Sequence, residues 1–145
     1  MSDLERDVHK EIDDMHVFFV EWFNGTADKN SYEEKFVSRF DPAVIFIGPN
    51  GMLLDYENLM AMMREAHGSN PDFRIAIRDV TIRHESDTQV VATYTEWQRN
   101  AMNSDNADNG RLTTVMLSRG KPLRWLHVQE TWLPEDIATA GPYNF

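Results

Sequence analysis

The sequence predicts an α+β domain in which N-terminal helices cover one face of an antiparallel sheet. Up to about residue 66, apolar residues recur mainly with helical spacing. From Pro71 onward, four extended runs rich in β-branched and aromatic residues follow one another, most of them joined by short turns. Such runs form an antiparallel meander, and helices that precede a meander can cover one of its faces.

The composition is that of an ordinary globular protein. Apolar residues make up 41% of the 145 residues, enough for one domain with a sizeable core. We expect a single domain over 1–145, with its core at about 4–134 and a C-terminal tail at 135–145. The 14 basic and 24 acidic residues give a net charge of −10, which argues against nucleic acid and anionic membranes as partners.

Motifs for several kinds of chemistry are missing. The sequence has no cysteine, so thiol nucleophiles, disulfides and Cys-ligated metal sites are excluded. It also has no G-x-S-x-G, no Walker A motif and no His/Cys cluster, so we expect neither a metal nor a cofactor. The charged N-terminus lacks the apolar segment of a signal peptide, and no apolar run is long enough to span a bilayer. These features predict a cytoplasmic protein.

The first predicted helix occupies the N-terminal segment. Its apolar residues recur at steps of three and four, namely Leu4, Val8, Ile12, Met15, Phe19, Trp22 and Phe23. This stripe predicts an amphipathic helix of roughly 19 residues, which Gly25 ends in a left-handed conformation. His9 and His16 lie beside the stripe. We interpret both as solvated histidines at the helix edge rather than as ligands.

Two further helices and a hairpin are predicted before the sheet. Ser31 and Glu34 have the spacing of a capping box, which predicts a short helix. The segment 43–54 is an apolar run interrupted by Gly-Pro-Asn-Gly and is typical of a hairpin. Asp55 then serves as the predicted N-cap of a third helix. We interpret the methionines of that helix as core residues rather than as pocket-lining residues.

The last extended run, 124–134, carries a carboxylate between apolar neighbours. Strand residues alternate between two faces. One set is core-like and is expected to meet the helices, namely Leu126, Val128, Glu130 and Trp132. The other set includes Trp125, His127 and Gln129 and mixes aromatic with polar residues, as subunit interfaces do. We therefore expect Glu130 to point inward, and the other face to form a homodimer interface.

Glu130 has two interpretations, because a buried carboxylate must be paired, hydrogen-bonded or protonated. In the first it is a catalytic acid or base, or a ligand anchor, in an apolar pocket. In the second it forms an ion pair with Arg99, Arg111 or Arg124, or is exposed near the end of the strand. Among these arginines we expect Arg99 to be the counter-charge.

The extended run 89–100 does not reveal which of its faces is inside. One face carries Trp97 and Arg99, and the other carries Tyr94 and Glu96. Both faces are half apolar, so periodicity alone leaves both orientations open.

The order of elements and the last strand resemble the nuclear transport factor 2-like superfamily. A long amphipathic helix, a second helix, FDPAVIFIGPNG and a third helix precede a meander that ends in W-x-H-x-x-x-T at residues 125–131. Within the superfamily, the chain is most similar to SnoaL-like polyketide cyclases and to the association domain of calcium/calmodulin-dependent protein kinase II. The resemblance covers nearly the whole predicted core. It implies a cystatin-like cone, in which a curved antiparallel sheet and the N-terminal helices hold a small, usually apolar molecule.

The resemblance also implies which residues line the pocket. The TTVM at 113–116 is similar to the T-R-V-W of the association domain, which places Thr114 and Met116 inside. By the same likeness Trp97 and Arg99 face the cavity, and Trp22 of the first helix is a further expected ligand contact. Glu130 stands where the association domain has an inward arginine, so the charge at that position is reversed.

Two functions follow as hypotheses. The first is binding of a small apolar or weakly polar molecule, with Glu130 as the acid–base group of an isomerase, cyclase or dehydratase and Tyr94 or His67 as a candidate partner. The second is a non-catalytic homo-oligomeric assembly or sensory module, like the kinase association domain. The fold by itself does not choose between them.

Overall fold

The computed structural model describes residues 1–145 and contains four α-helices and six β-strands. The helices are α1 (Asp3–Asn24), α2 (Tyr32–Lys35), α3 (Tyr56–Glu65) and α4 (Glu135–Ala140). The strands are β1 (Phe40–Ile47), β2 (Leu53–Leu54), β3 (Arg74–Glu85), β4 (Gln89–Arg99), β5 (Asn109–Ser118) and β6 (Arg124–Trp132). Of the helices, none has both the length and the apolar character that crossing a bilayer requires.

The strands form one open, curved sheet in the order β2-β1-β6-β5-β4-β3. The last four strands are antiparallel neighbours, as the predicted meander requires. The predicted hairpin is also present, because β1 and β2 pair antiparallel. β1 then pairs with β6 in parallel, which brings the hairpin beside the last strand. The α+β fold class is therefore confirmed.

The core lies between the helices and the inner face of the sheet. It contains the fully buried Val8 and Ile12 of α1, Val90 of β4 and Val115 of β5. Trp22 is 2% exposed and donates a hydrogen bond from Nε1 to the Met63 carbonyl at 2.6 Å, which ties α1 to α3. Trp22 therefore packs within the core and does not line the main cavity, contrary to its expected role as a ligand contact.

The ends of α1 follow the local rules. Ser2 caps the N-terminus, where its Oγ accepts from the Glu5 N–H. Gly25 ends the helix with φ +83°, and a Cβ there would lie 3.1 Å from the Gly68 Cα. Glycine is thus required twice, for the left-handed backbone and for the close approach of the chain after α3.

The second helix is shorter than a capping box suggests. Ser31 makes no side-chain cap, and its hydroxyl donates instead to the Asp28 carbonyl at 2.6 Å. The helix has one turn, between 3₁₀ turns at Lys29–Ser31 and Val37–Arg39. Tyr32 and Phe36 stack at 5.3 Å between their ring centroids, and aromatic packing of this kind fixes the segment although the cap is absent.

A β-bulge at the start of β6 changes the predicted faces of that strand. Leu117 of β5 is opposite Trp125, whereas Met116 is opposite His127, so Leu126 is the extra residue. Trp125 therefore points inward and is only 2% exposed. The prediction that it belongs to an outer interface is wrong, because strict alternation does not hold across a bulge.

The register of β4, β5 and β6 decides their inner faces. Thr113 is opposite both Tyr94 and Glu130, and residues directly opposite each other lie on the same face. With Glu130 buried, the inner residues of β5 are therefore the odd-numbered ones, and Thr114 faces outward and is exposed. Met116 is half-buried on the same outer face. The expectation that Thr114 and Met116 line the pocket is wrong for this reason.

The C-terminal segment packs on the outer face of β4. The Trp97 ring contacts Tyr143 edge-on at 5.6 Å between centroids, and the Arg99 guanidinium donates to the Phe145 carbonyl. The tail thus covers Trp97 and Arg99, which lie outside the cavity although the likeness placed them within it. The short helix α4 in this segment was not predicted from the sequence.

Candidate functional site

A cavity of about 380 Å³ lies between the inner face of the sheet and the helices. Its walls are mostly apolar, with aromatic side chains from α1, β1 and the segment before β3, namely Phe19, Phe23, Phe40, Phe46 and Phe73. Five titratable side chains also line it, namely His16, Tyr94, Glu96, Arg111 and Glu130. An apolar cavity with a few convergent polar groups is the usual form of a small-molecule site.

His16 and Glu96 form an ion pair across the cavity. His16 Nδ1 lies 2.7 Å from the Ile12 carbonyl and Nε2 lies 3.0 Å from Glu96 Oε1. A carbonyl only accepts hydrogen bonds and so does a carboxylate, so both ring nitrogens carry hydrogen when Glu96 is ionised. His16 is 4% exposed and Glu96 5%, so water does not separate the charges.

The ionisation of this pair follows from its contacts. Burial by itself lowers the pKa of His16, but the charge and hydrogen bond of Glu96 outweigh burial and raise it. Burial would raise the pKa of Glu96, but His16 acts through its charge and its hydrogen bond and, with Arg111, lowers it to about 2. Glu96 is therefore an ionised carboxylate and His16 an imidazolium near neutral pH.

Glu130 lies on the same face but has a weaker partner. Arg111 Nη1 is 3.3 Å from Oε1 and 3.4 Å from Oε2 of Glu130, beyond the 2.7–2.9 Å typical of a charge-assisted bond. Burial raises the pKa of Glu130 to about 7, with the negative charge of Glu96 adding to the rise and Arg111 opposing it. Glu130 thus exchanges its proton near neutral pH.

Gln98 connects the two carboxylates. Its amide nitrogen donates to Glu96 Oε2 at 2.5 Å, and its oxygen accepts from Arg111 Nη2 at 3.0 Å. Arg111 Nη2 also donates to Asn109 Oδ1 at 3.0 Å, and its guanidinium lies 4.8 Å from the centre of the Trp132 ring. These contacts hold Arg111 in place, yet its Nε is buried without a hydrogen-bond partner.

Tyr94 supplies a hydroxyl beside His16. Its oxygen lies 3.4 Å from His16 Nε2, where it can share the imidazolium hydrogen with Glu96. Burial raises the pKa of Tyr94 well above its ordinary value, so the hydroxyl keeps its proton. A tyrosine oxygen that accepts from the imidazolium leaves its own hydrogen free to donate to a bound molecule.

The structure separates the predicted site residues into two groups. Glu130 is 8% exposed and lies in the cavity, as alternation predicts. Its nearby cation is Arg111, one of the three arginines considered, and not Arg99. His127 and Gln129 lie on the opposite face, half-buried and exposed respectively.

Trp125 belongs to the inner side, where it forms part of the cavity wall. Its Nε1 donates to Glu11 Oε2 at 3.0 Å, and Glu11 Oε1 is paired with Arg39 Nη1 at 2.9 Å. The indole thus joins the sheet to α1 behind the cavity. His67 lies outside the cavity, with Nε2 2.8 Å from the Ala27 carbonyl, so it is no partner for Glu130.

His16 and Glu96 are site residues that were not predicted from the sequence. The solvated interpretation of His16 is wrong, because the residue lies at the margin of the apolar stripe that faces the sheet. Glu96 is the only carboxylate on its strand and lies on the face that also carries Val90, Ala92 and Tyr94, as Glu130 lies on the face of Val128 and Trp132. A lone carboxylate on such a face was the available signal for a second buried acid. It was not used, because the sequence left open which face of β4 is buried.

One family model matches most of the chain. The family model described as Sucrose-6-phosphate phosphohydrolase C-terminal matches residues 8–134. Among curated proteins, none matches the sequence.

Solved structures confirm the nuclear transport factor 2-like fold. The chain is similar to an NTF2-like protein of unknown function from Pseudomonas aeruginosa, with 26% identity, a TM-score of 0.78 and coverage of 88% of this chain and 99% of the other. A scytalone dehydratase-like protein from Novosphingobium aromaticivorans aligns with a TM-score of 0.69 at 7% identity, over 89% and 83% of the two chains. A calcium/calmodulin-dependent kinase II association-domain-like protein from Exiguobacterium sibiricum aligns with a TM-score of 0.64 at 14% identity, over 92% and 96%.

Proposed function

The chain belongs to the sucrose-6-phosphate phosphohydrolase C-terminal family, and we propose that it is an acid–base enzyme for a small, largely apolar molecule. The observation that supports this most is the pair of carboxylates in one apolar cavity. His16 keeps Glu96 ionised, whereas burial raises the pKa of Glu130 to about 7. Carboxyl groups whose environments separate their pKa values in this way are typical of acid–base sites.

Glu130 is the proposed proton donor and acceptor. With a pKa of about 7, both of its forms are populated at neutral pH, which suits general acid–base work. The neutral carboxyl can protonate a carbonyl or a departing hydroxyl, and the carboxylate can remove a proton from a carbon beside a carbonyl. Such paired proton transfers accompany the shift of a double bond in isomerisation, the new ring bond in cyclisation and the broken C–O bond, with release of water, in dehydration.

Two other groups are proposed to stabilise negative charge on the substrate oxygen. The Tyr94 hydroxyl and the Arg111 guanidinium line the same cavity as Glu130. Fixed donors in an apolar site stabilise a developing oxyanion strongly, since they need no reorganisation during the reaction. The scytalone dehydratase-like neighbour supports dehydration as one of the candidate reactions on this fold.

A substrate-independent test is the elimination of 5-nitrobenzisoxazole. In this reaction a base removes the ring C–H proton, the N–O bond breaks and a coloured cyanophenolate forms. We expect the protein to catalyse it with a rate that rises with pH through about 7, as Glu130 becomes a carboxylate. Glu130→Gln should lower the rate by about 10²-fold, the usual contribution of a general base.

The matched control is Glu85→Gln, which removes an exposed carboxylate at the end of β3 and should leave the rate unchanged. A wild-type protein no faster than an equal concentration of acetate would contradict the proposed function. So would a Glu130→Gln variant with the wild-type rate.

The second proposal is a homodimer through the outer face of β5 and β6. Leu112 is 44% exposed there, beside the half-buried Met116 and His127 and the exposed Gln129. Apolar side chains on an uncovered sheet face favour association. Leu112→Glu should give a monomer in analytical ultracentrifugation, whereas Leu53→Glu, the same change at a leucine of β2 that is 57% exposed, should not. Equal sedimentation coefficients for the two variants would contradict the proposed interface.

A further inference from the structure

We propose that the cavity binds an apolar molecule with one anionic end, a carboxylate or enolate, which lies beside Arg111 and whose binding is linked to uptake of one proton by Glu130. This inference rests on the proposed function, since it names the substrate class for the same cavity. It goes further in assigning the charge of the ligand and the proton that accompanies it.

The first support is the balance of charge in the cavity. Of the five titratable side chains that line it, His16 and Arg111 are cations, Glu96 is an anion and Tyr94 is neutral. The remaining side chains from α3, β1 and the strand β3 carry no charge. With Glu130 protonated, the cavity therefore holds one uncompensated positive charge, and with Glu130 ionised it holds none.

The second support is the state of Arg111. It is 9% exposed, and its Nε is buried without a partner. The Nη1 beside Glu130 has no other acceptor, so a ligand oxygen placed there replaces two long contacts with a short charge-assisted hydrogen bond. Its contacts to Glu130, at 3.3 and 3.4 Å, are also long for a charged pair. Arg111 is thus the cation in this cavity with bonding capacity left over.

The contrast with His16 shows why the anion belongs at Arg111. Both ring nitrogens of His16 are within 3.0 Å of an acceptor, so its donors are used. Glu96 compensates its charge directly. An anionic ligand near Arg111 has no such competitor if Glu130 is neutral, whereas an ionised Glu130 repels it.

The test compares 2-naphthoate with 2-naphthamide, which have the same bicyclic body and differ in charge. Isothermal titration calorimetry at pH 6 should show naphthoate bound at least tenfold more tightly than the amide. At pH 8 naphthoate should bind about tenfold more weakly than at pH 6, because the neutral fraction of Glu130 falls by about that factor. Amide binding should be the same at both pH values.

Proton uptake is measured by repeating the titration in two buffers of different ionisation enthalpy. At pH 8 the protein should take up nearly one proton for each naphthoate bound, and at pH 6 it should take up nearly none. Glu130→Gln, which keeps the shape of a neutral carboxyl, should abolish the uptake and restore at pH 8 the affinity seen at pH 6. Arg111→Met should lower the affinity for naphthoate at least tenfold and change the affinity for the amide by less than twofold. Near-ultraviolet circular dichroism verifies that the variant is folded.

Three results would overturn the inference, namely no binding of naphthoate at pH 6, equal affinity for the amide, or an affinity for naphthoate that does not change with pH. These results are separable from failure of the proposed function, because 5-nitrobenzisoxazole is neutral. If the protein catalyses this elimination through Glu130 but does not prefer naphthoate, the proposed function is supported and the anionic substrate class is contradicted. If the protein prefers naphthoate and takes up a proton on binding but does not catalyse the elimination, the anion-binding site is supported and the proposed enzymatic function is contradicted.

Discussion

The two sides of the cavity hold a buried carboxylate in different ways. On the side formed by α1 and β4, Glu96 has an imidazolium nitrogen at 3.0 Å and an amide nitrogen at 2.5 Å. On the side formed by β5 and β6, Glu130 has only the Arg111 contacts at 3.3 and 3.4 Å. Burial is similar, 5% and 8% exposed, so burial does not explain why one pKa falls to about 2 and the other rises to about 7.

The difference shows that the quality of the partners decides the charge of a buried acid. Desolvation raises both pKa values, and only at Glu96 is it outweighed, first by the charge of His16 and then by the hydrogen bond from His16, the charge of Arg111 and the hydrogen bond from Gln98. Once Glu96 is ionised, its charge raises the pKa of Glu130 further. The stable ion pair on one side thus contributes to the exchangeable proton on the other.

The largest expected effect on this difference between the two carboxylates is that of His16→Phe, which removes the partner of Glu96. The change leaves Glu96 buried without its cation, and breaking a buried pair in this way costs about 3–5 kcal/mol of unfolding free energy. Urea denaturation at pH 7 measures the loss. His9→Phe on the same helix is the control and should cost little, because His9 is outside the cavity. A loss below about 1 kcal/mol for His16→Phe would mean that the pair does not hold Glu96 ionised.

The pH dependence of stability sharpens the comparison. The pKa of Glu130 is about 7 in the folded protein, whereas its ordinary value, expected in the unfolded chain, is 4.5, so the folded state binds more protons between these limits. Its contribution to stability is therefore complete below about pH 4.5 and is lost as pH rises through 7, by about 3 kcal/mol in all. Glu96 has the opposite sign, since its lowered pKa contributes stability above pH 4.5 that is lost as pH falls towards 2.

The measurement is the difference in unfolding free energy between the wild-type protein and Glu130→Gln at several pH values. The variant should lose less stability than the wild type between pH 5 and 8, because it has no proton to release. Parallel curves for the two proteins over that range would show that Glu130 titrates normally.

The smallest expected effect is that of Tyr94→Phe. Its hydroxyl lies 3.4 Å from His16 Nε2, a long contact beside the one that Glu96 makes. Removing it should cost about 1 kcal/mol, the net value of an ordinary hydrogen bond. Tyr143→Phe, which removes a hydroxyl that donates to the Ala138 carbonyl on the outer face, is the matched control. A cost for Tyr94→Phe as large as that of His16→Phe would make the tyrosine a principal partner of the pair.

Much of the fold was predictable because its signals are local. The stripe of apolar residues in α1, the glycine at 25 and the N-cap at Asp55 act within a few residues of each other, and the structure has all three. The capping box predicted at Ser31 does not form, and the turn is held instead by aromatic contacts of Tyr32 with Trp22 and of Phe36 with Phe40.

The candidate site was predicted only in part. Alternation placed Glu130 inward correctly, since no bulge separates it from Val128. The same alternation failed at Trp125, beyond the extra residue, and the likeness failed at Thr114. An inward Glu130 and an inward Thr114 are incompatible in the observed register, in which Thr113 is the residue opposite Glu130. Pairing information was needed to detect that conflict.

The sequence by itself determined the three N-terminal helices, the hairpin and the four strands of the meander, although not α4, and it placed Glu130 among the core-like residues of β6. Only the tertiary structure decided the partners, because the period of two in a strand defines two faces without saying which is buried. His16 and Glu96 are 80 residues apart in the chain and Arg111 and Glu130 are 19 apart. Contacts over such distances depend on strand register and on how α1 packs across the sheet. Those two features place an ionised carboxylate and a carboxyl with a pKa of about 7 in one apolar cavity.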